Sequence, residues 1–143
     1  AGWRSVRNLF GSDRFEKIDL LPGARRFELG YPGFPNAYML AESLALITSV
    51  DGAELEKYAM DLSDALSGEL AGAGFGLLTP RDRARHGTNV SAKVEGDAAG
   101  AADRLLQAGI RAWGGDGRVR FSVHGFLTAD DIEAAVSGLR SAL

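Results

Sequence analysis

The strongest constraint on the fold is a strict alternation of apolar and polar side chains over residues 118–124. Successive side chains of a β-strand point to opposite faces of the sheet, so this alternation divides the segment into two faces. The apolar face carries Val119, Phe121 and Val123, and the polar face carries Arg118, Arg120, Ser122 and His124. A strand of this kind belongs to a sheet with one buried and one open face, which is typical of antiparallel sheets.

The pattern of the other segments predicts the element order α-β-β-α-β-β-α from residue 54 onwards. Amphipathic helices are predicted over residues 54–71 and 97–107, and a last helix begins after an N-cap at Thr128. Strands are predicted over residues 75–78, 88–95, 110–113 and 118–124, with a hairpin turn over residues 114–117. We therefore predict an α+β fold, with helices packed on one face of a small, largely antiparallel sheet.

The first third of the chain reads differently. Residues 1–35 contain three of the four prolines and show no sustained periodicity, which indicates an extended connector with short turns. Residues 36–50 predict a helix that is apolar on almost every side. Since such a helix is normally buried all round, we expect it to pack against a further domain or another subunit. The division predicted is a connector over residues 1–35 and an α+β domain over residues 36–143.

Composition excludes several classes of function. A net charge of −3 argues against nucleic-acid binding, and no stretch is apolar enough for a membrane span. The chain has no cysteine, so it has neither a disulfide framework nor a thiolate metal site. Its two histidines lack the spacing of a metal site, so we predict none. These properties fit a cytoplasmic protein.

Two segments carry a family resemblance. Residues 25–32, Arg-Arg-Phe-Glu-Leu-Gly-Tyr-Pro, resemble the R-F-E-x-G-T-P segment of class V aminotransferases. Residues 119–132, Val-Arg-Phe-Ser-Val-His-Gly-Phe-Leu-Thr-Ala-Asp-Asp-Ile, resemble the closing pattern of that family, V-R-x-S-x-H-x-Y-N-T-x-E-D-I. The family comprises enzymes that use pyridoxal 5'-phosphate (PLP), among them cysteine desulfurases, isopenicillin N epimerase and C–S lyases.

The resemblance implies that the chain is the small C-terminal domain of such an enzyme, preceded by a connector from a large domain that it lacks. The large domain would supply the lysine that forms the Schiff base and would bind most of the PLP. The chain alone would then hold no catalytic residue and be inactive. A homodimer that acts on an amino-acid substrate is implied as well.

The resemblance also implies roles for four residues. Arg120 matches the arginine that binds the substrate carboxylate, and His124 would line the same pocket or support Arg120. From the pattern alone, the simplest interpretation of both is the solvated face of a half-buried strand. Gly30 and Tyr31 match a Gly-Thr pair that donates hydrogen bonds to the PLP phosphate of the neighbouring subunit, although a simple turn explains them equally well.

Other polar residues receive structural interpretations. We expect Glu28 and Arg26 to form a polar pair near the domain junction. His86, in an arginine-rich loop, is predicted to be solvated. None of the three lysines lies in a setting that resembles a Schiff-base lysine.

The missing cysteine bears on the reaction. Desulfurases of the persulfide type carry a reactive cysteine in this small domain, and this chain has none. A C–S lyase or an epimerase-like enzyme is therefore favoured over a cysteine-persulfide desulfurase, and an aminotransferase is the alternative within the family. An alternative of another class is a stand-alone, non-catalytic binding or regulatory module, because a fold alone does not assign function.

Overall fold

A computed structural model of the chain describes residues 2–143, apart from the side chain of Trp3. The chain divides into two compact units, Ala1–Ser49 and Val50–Leu143. The boundary between them lies after the first α-helix, whereas the predicted division lies before it.

The first unit contains two 3-10 helices, Trp3–Ser5 and Gly23–Phe27, and the helix α1, Phe34–Thr48. Its first 35 residues are more structured than the sequence predicts, because an isolated antiparallel bridge joins Val6 to Leu20. The backbone N–H of Leu21 donates to the carbonyl of Ser5 over 2.8 Å. Helix α1 buries none of its side chains.

The second unit has three α-helices and three β-strands. They are α2 (Gly52–Gly72), β1 (Asn89–Lys93), α3 (Ala98–Gln107), β2 (Trp113–Gly115), β3 (Arg118–Ser122) and α4 (Ala129–Ser141). The strands form one antiparallel sheet in the order β1-β3-β2. All three helices contribute to one core on a single face of the sheet, which confirms the predicted α+β architecture.

The core follows from the alternation noted in the sequence. Val90 lies opposite Phe121 and Ala92 lies opposite Val119 in the β1–β3 register, and all four side chains are buried. From the helices, the buried apolar side chains include Leu62, Leu66, Leu70, Ala98, Ala101, Leu105, Ile132, Ala135, Val136 and Leu139. Burial of this contiguous set supplies the main favourable term in folding the second unit.

The helix ends are fixed by side chains that the sequence identifies. The Asp51 carboxylate accepts a hydrogen bond of 2.8 Å from the backbone N–H of Ala53 at the start of α2. Thr128 precedes α4, as predicted, and its backbone N–H donates to the Asp131 carboxylate over 2.7 Å. Such caps satisfy backbone groups that have no partner within the helix.

All four predicted strands are shorter than expected, and two of them keep only one of their predicted residues in the sheet. The segment 75–78 contributes only an isolated bridge between Leu77 and Ala92. The segment 110–113 joins the sheet only at Trp113. Both lie at the edges of the sheet, where pairing on one side alone makes a strand easy to truncate.

The predicted hairpin turn is confirmed, but it is tighter than the four residues expected. Gly114 and Gly115 belong to β2, and the turn itself is Asp116 and Gly117. Both turn residues have positive φ, 49° and 68°. Two consecutive positive φ angles define a type I′ turn, whose twist matches that of the strands and which favours the Asp-Gly pair.

No helix in the described part of the chain is both long enough and apolar enough to cross a membrane.

Candidate functional site

The polar side chains of β1 and β3 lie on the face of the sheet that the helices leave open. Asn89, Lys93, Arg120 and Ser122 are exposed there, and Ser91 and Arg118 are half-buried. The hydroxyl of Ser122 donates a hydrogen bond of 2.7 Å to the side-chain oxygen of Asn89 across the two strands. This open face is the part of the second unit that gathers the polar groups singled out in the sequence.

Arg120 lies in the middle of this face, on the central strand β3. Its direct neighbours across the ladder are Ser91 on β1 and Trp113 on β2. The guanidinium carbon of Arg120 lies 5.4 Å from the centre of the Trp113 indole, within the range of a cation–π contact. Among the residues that the structure describes, no carboxylate or hydrogen-bond acceptor pairs with Arg120. The five N–H donors of this guanidinium are therefore available to a ligand.

Trp113 also belongs to the site, although the sequence did not predict it. It contacts a second guanidinium as well, that of Arg118, whose central carbon lies 5.3 Å from the indole centre. Arg118 in turn lies 3.5 Å from the Asp116 carboxylate. The Asp-Gly pair at the turn was the available signal, because a two-residue turn at 116–117 pairs residue 113 with residue 120.

His124 is exposed and lies beyond the end of β3. Its ring stacks on Phe126, with the ring centres 5.3 Å apart and the planes inclined by 14°. Four residues of extended strand span about 13 Å, so His124 and Arg120 are far apart for a direct contact. The ring of His124 thus packs on Phe126, and a role in substrate binding stays a prediction.

A cavity of about 360 Å³ lies beside this end of β3. Its lining is mainly apolar and includes Phe121, Phe126, Leu127 and Ile132, together with Arg111. Neither Arg120 nor His124 lines this cavity. Arg120, on the open sheet face, and His124, beyond the end of β3, therefore both lie outside this cavity.

Gly30 and Tyr31 lie in the first unit. The Tyr31 side chain is 84% exposed, and the Arg4 guanidinium carbon lies 5.6 Å from the centre of its ring. The sequence predicted a polar pair between Glu28 and Arg26 next to this segment, and this prediction is wrong about the arginine. Glu28 is paired with Arg25 at 3.9 Å rather than with Arg26.

A cluster of charged side chains, the α2 ion cluster, joins α2 to the loop that follows it. Asp61 accepts hydrogen bonds of 2.7 Å from both Lys57 and Arg83. Both bonds hold the pKa of Asp61 below its ordinary value of 3.8, and the bond from Lys57 has the larger effect. The bond to Asp61 likewise raises the pKa of Arg83. Each charged group of the cluster has a partner of opposite charge, and the ion pair of Arg83 with Asp61 links the loop to α2.

The prediction that His86 is solvated is wrong. Its side chain is only 3% exposed, and its Nε2 lies 3.5 Å from the Asp64 carboxylate, which is itself 3.5 Å from Arg83 of the α2 ion cluster. Its Nδ1 lies 2.8 Å from the carbonyl oxygen of Gly87, an acceptor, so Nδ1 is the donor of that hydrogen bond. The arginine-rich loop folds back onto α2, which the local sequence does not reveal.

The three lysines of the chain are all exposed. Lys57 is occupied by its 2.7 Å ion pair with Asp61, and Lys17 and Lys93 are exposed on a loop and at a strand end. In the described part of the chain, no group of three or more acidic or histidine side chains could hold a metal ion.

Comparison with known proteins gives structural relatives only. No protein-family model matches the chain, and no curated protein matches its sequence. Among solved structures, it is similar to an apo cysteine desulfurase from Thermococcus onnurineus NA1, with a TM-score of 0.78 and 21% identity. That match covers 99% of this chain and 38% of the desulfurase.

Two other solved structures are similar to a comparable extent. The cysteine desulfurase CsdA from Escherichia coli matches with a TM-score of 0.74 and 18% identity, over 99% of this chain and 37% of that one. The cystine C–S lyase C-DES, in complex with its reaction product cysteine persulfide, matches with a TM-score of 0.73 and 21% identity, over 97% and 37%. In another structure, a variant of C-DES has glycine covalently linked to its PLP cofactor.

The chain thus spans less than two fifths of the length of these relatives. Its fold is nevertheless shared with them over nearly all of its residues. The fold is therefore that of a part of the cysteine desulfurases and C–S lyases, and the resemblance to class V aminotransferases is confirmed at the level of the fold.

Proposed function

We propose that this chain is the C-terminal domain of a PLP-dependent enzyme and that Arg120 binds the carboxylate of its amino-acid substrate. One observation carries the proposal: an exposed guanidinium at the centre of the open sheet face, with no carboxylate partner in the described structure. The match of Arg120 to the family pattern and the fold shared with PLP enzymes support it.

The chemical reason lies in the geometry of the two groups. A guanidinium can bind a carboxylate through two parallel hydrogen bonds, which fix the orientation of the ligand as well as neutralise its charge. PLP, when bound, acts as an electron sink for the reaction of an amino acid. Arg120 would thus hold the substrate in one orientation, while the large domain binds the cofactor and supplies the Schiff-base lysine.

Within the family, we infer a reaction of the C–S lyase or epimerase-like type rather than one that forms a persulfide on a cysteine of this domain. The composition supports the inference, because the chain has no cysteine to receive sulfur. A C–S lyase is among the structural relatives. Transamination is the alternative, which product analysis of the active enzyme would identify.

The proposed partners are the large PLP-binding domain and a second copy of the same protein. Tyr31 supports the second, because its exposed hydroxyl is free to reach a group outside the chain. We propose that Gly30 and Tyr31 donate hydrogen bonds to the PLP phosphate of the neighbouring subunit. A Tyr31→Phe variant that retains PLP as tightly as the unsubstituted protein would contradict that role.

The first test is the intact mass and the visible absorbance of the protein isolated from its native source. We expect a chain with a mass well above 15.1 kDa and with the visible absorbance band of protein-bound PLP. A colourless protein of 15.1 kDa would contradict the proposal and favour the binding or regulatory module.

The second test addresses Arg120 in the PLP-loaded protein, with glycine as the ligand and methylamine as its counterpart without a carboxylate. Arg120→Ala is expected to raise the Kd for glycine by about 10- to 100-fold, the range of a lost charged hydrogen bond. The Kd for methylamine should not change. Arg140→Ala, on the exposed end of α4, removes the same charge elsewhere and should leave both constants unchanged.

A further inference from the structure

We propose that Trp113 is a positioning residue for Arg120, which holds the guanidinium where it receives the substrate carboxylate. The inference rests on the proposed function of Arg120. Trp113 touches neither substrate nor cofactor in this proposal and acts through Arg120 alone.

The register of the hairpin places the two residues together. Trp113 and Arg120 are direct partners across β2 and β3, so their side chains leave the same face of the sheet at neighbouring positions. The guanidinium carbon of Arg120 lies 5.4 Å from the indole centre. Because Arg120 makes no other polar contact in the described structure, the indole is the group that limits where its guanidinium lies.

The indole packs closely on the backbone of Gly115. A Cβ atom added at Gly115 would lie 2.9 Å from the Cη2 and Cζ2 atoms of Trp113, closer than real contacts of this kind. The ring therefore lies directly against the backbone of Gly115, two residues further along β2 on the same face. A larger residue at position 115 would push the ring off the sheet.

A second arginine borders the same ring. The Arg118 guanidinium carbon lies 5.3 Å from the indole centre, and Arg118 is in turn 3.5 Å from Asp116 in the turn. The indole thus has Gly115 beneath it and an arginine held by the turn beside it, and it remains 40% exposed. A ring fixed in this way can restrain the guanidinium of Arg120, which, unlike that of Arg118, has no ion pair in the described structure.

The energetic argument concerns side-chain entropy. An exposed arginine side chain loses much of its rotamer freedom when it binds a ligand. A guanidinium already restricted by an aromatic face loses less, and pre-organisation of this kind increases affinity. Trp113 would therefore strengthen carboxylate binding without touching the carboxylate.

The binding experiment uses the PLP-loaded protein with glycine and methylamine as probes. Trp113→Ala is expected to raise the Kd for glycine by about 3- to 10-fold, in keeping with the strength of a cation–π contact. Trp113→Phe retains an aromatic face and should restore the Kd to within about 2-fold. Gly115→Ala displaces the ring without removing any group and should raise the Kd for glycine as well. Methylamine, which has no carboxylate, should bind all these variants equally.

The double variant Trp113→Ala/Arg120→Ala distinguishes positioning from a separate contribution. If Trp113 acts through Arg120, the double variant binds glycine as weakly as Arg120→Ala alone, because residues that act as a unit are not additive. An additional loss in the double variant would mean that Trp113 acts on the ligand or on the hairpin by itself, which would overturn the inference.

A second measurement needs neither substrate nor cofactor. The {¹H}-¹⁵N NOE of the Arg120 Nε–H group reports the motion of the side chain, and an Arg120→Lys variant assigns its signal. We expect this NOE to fall in Trp113→Ala and to be retained in Trp113→Phe, while that of Arg140 stays constant. An unchanged NOE in Trp113→Ala would contradict the positioning role.

The outcomes also separate this inference from the proposed function. If Arg120→Ala binds glycine normally, the proposed carboxylate role is wrong. If Arg120→Ala loses glycine binding and Trp113→Ala does not, the proposed function stands and only the positioning role is wrong.

Discussion

At the residue scale, the sequence identified the chemistry of Arg120 but not its surroundings. The alternation over residues 118–124 was sufficient to place Arg120 on the polar face of a half-buried strand. Its aromatic neighbour depends on the register of β2 against β3, which is fixed by a turn two residues shorter than the glycine-rich segment suggested. The position of a polar residue on a face can thus be predicted locally, whereas its partners cannot.

His86 shows the same limit for a residue that was predicted to be solvated but is buried. Its neighbours in sequence are polar and basic, and local composition predicted a solvated loop. The loop instead packs against α2, and Asp64, 22 positions earlier in the chain, supplies the carboxylate beside His86. A contact between such distant positions leaves no periodic signal in one sequence.

Asp61 gives a prediction about pH. Its pKa is lower in the folded protein than its ordinary value of 3.8, chiefly through the hydrogen bond from Lys57 and then through that from Arg83. The folded state therefore binds fewer protons than the unfolded state. The contribution of Asp61 to stability is fully present above about pH 4 and is lost as the pH falls below 3.8 through the folded-state pKa.

The measurement is the free energy of unfolding as a function of pH for Asp61→Asn. We expect this variant to be less stable than the unsubstituted protein at neutral pH and the difference to shrink as the pH falls below 3.8. High salt should reduce the difference too, because the cluster is exposed. Asp103→Asn, on the outer side of α3, removes an exposed carboxylate that has no ion pair in the described structure, and this control should change the free energy of unfolding little. A pH-independent difference for Asp61→Asn would contradict the assignment.

At the element scale, the β2–β3 hairpin connects the fold to the site. Its type I′ turn requires positive φ at Asp116 and Gly117, and the resulting register brings Trp113 opposite Arg120. The Asp-Gly pair is a local signal for this turn, so the hairpin could be predicted. The edge strand at 75–78 could not, because its extent depends on pairing with β1 rather than on its own residues.

The turn yields a prediction with a matched control. Gly117→Ala forces a side chain into positive φ, which costs about 1–2 kcal/mol, although the added Cβ would meet no close atom. Gly72→Ala, at the end of α2, also has free space around its Cβ but needs no positive φ. It should change stability little or raise it by up to about 1 kcal/mol. Chemical denaturation measures both; equal effects of the two substitutions would contradict the turn assignment.

At the scale of the whole molecule, the two units bury apolar surface to different extents. The second unit has a continuous core that its helical and strand periodicities predicted. In the first unit, α1 is as apolar as the sequence indicated, yet none of its side chains is buried in this chain. The sequence predicted the helix and its apolar character, and a partner that covers it stays a prediction.

The exposed face of α1 leads to the last prediction. Leu40, Leu44 and Ile47 share one side of α1 and Tyr38 lies on the other, and all four are at least half exposed. So much exposed apolar surface on one helix is unusual on a monomeric protein in water. A preparation of these 143 residues alone should therefore bind a dye specific for apolar surfaces and self-associate as its concentration rises.

Substitution locates the surface responsible. Leu44→Gln/Ile47→Gln should lower dye fluorescence and self-association severalfold, because it replaces two exposed apolar side chains on the same side of α1. The control is Leu106→Gln on α3, since Leu106 is about as exposed as Ile47, 53% against 57%, but stands alone on its helix. The protein from its native source, in which we expect this face to be covered, should bind less dye per chain than the isolated 143 residues. Equal dye binding by the two preparations would mean that α1 has no partner, and weak binding by both would mean that its apolar residues do not form a continuous surface.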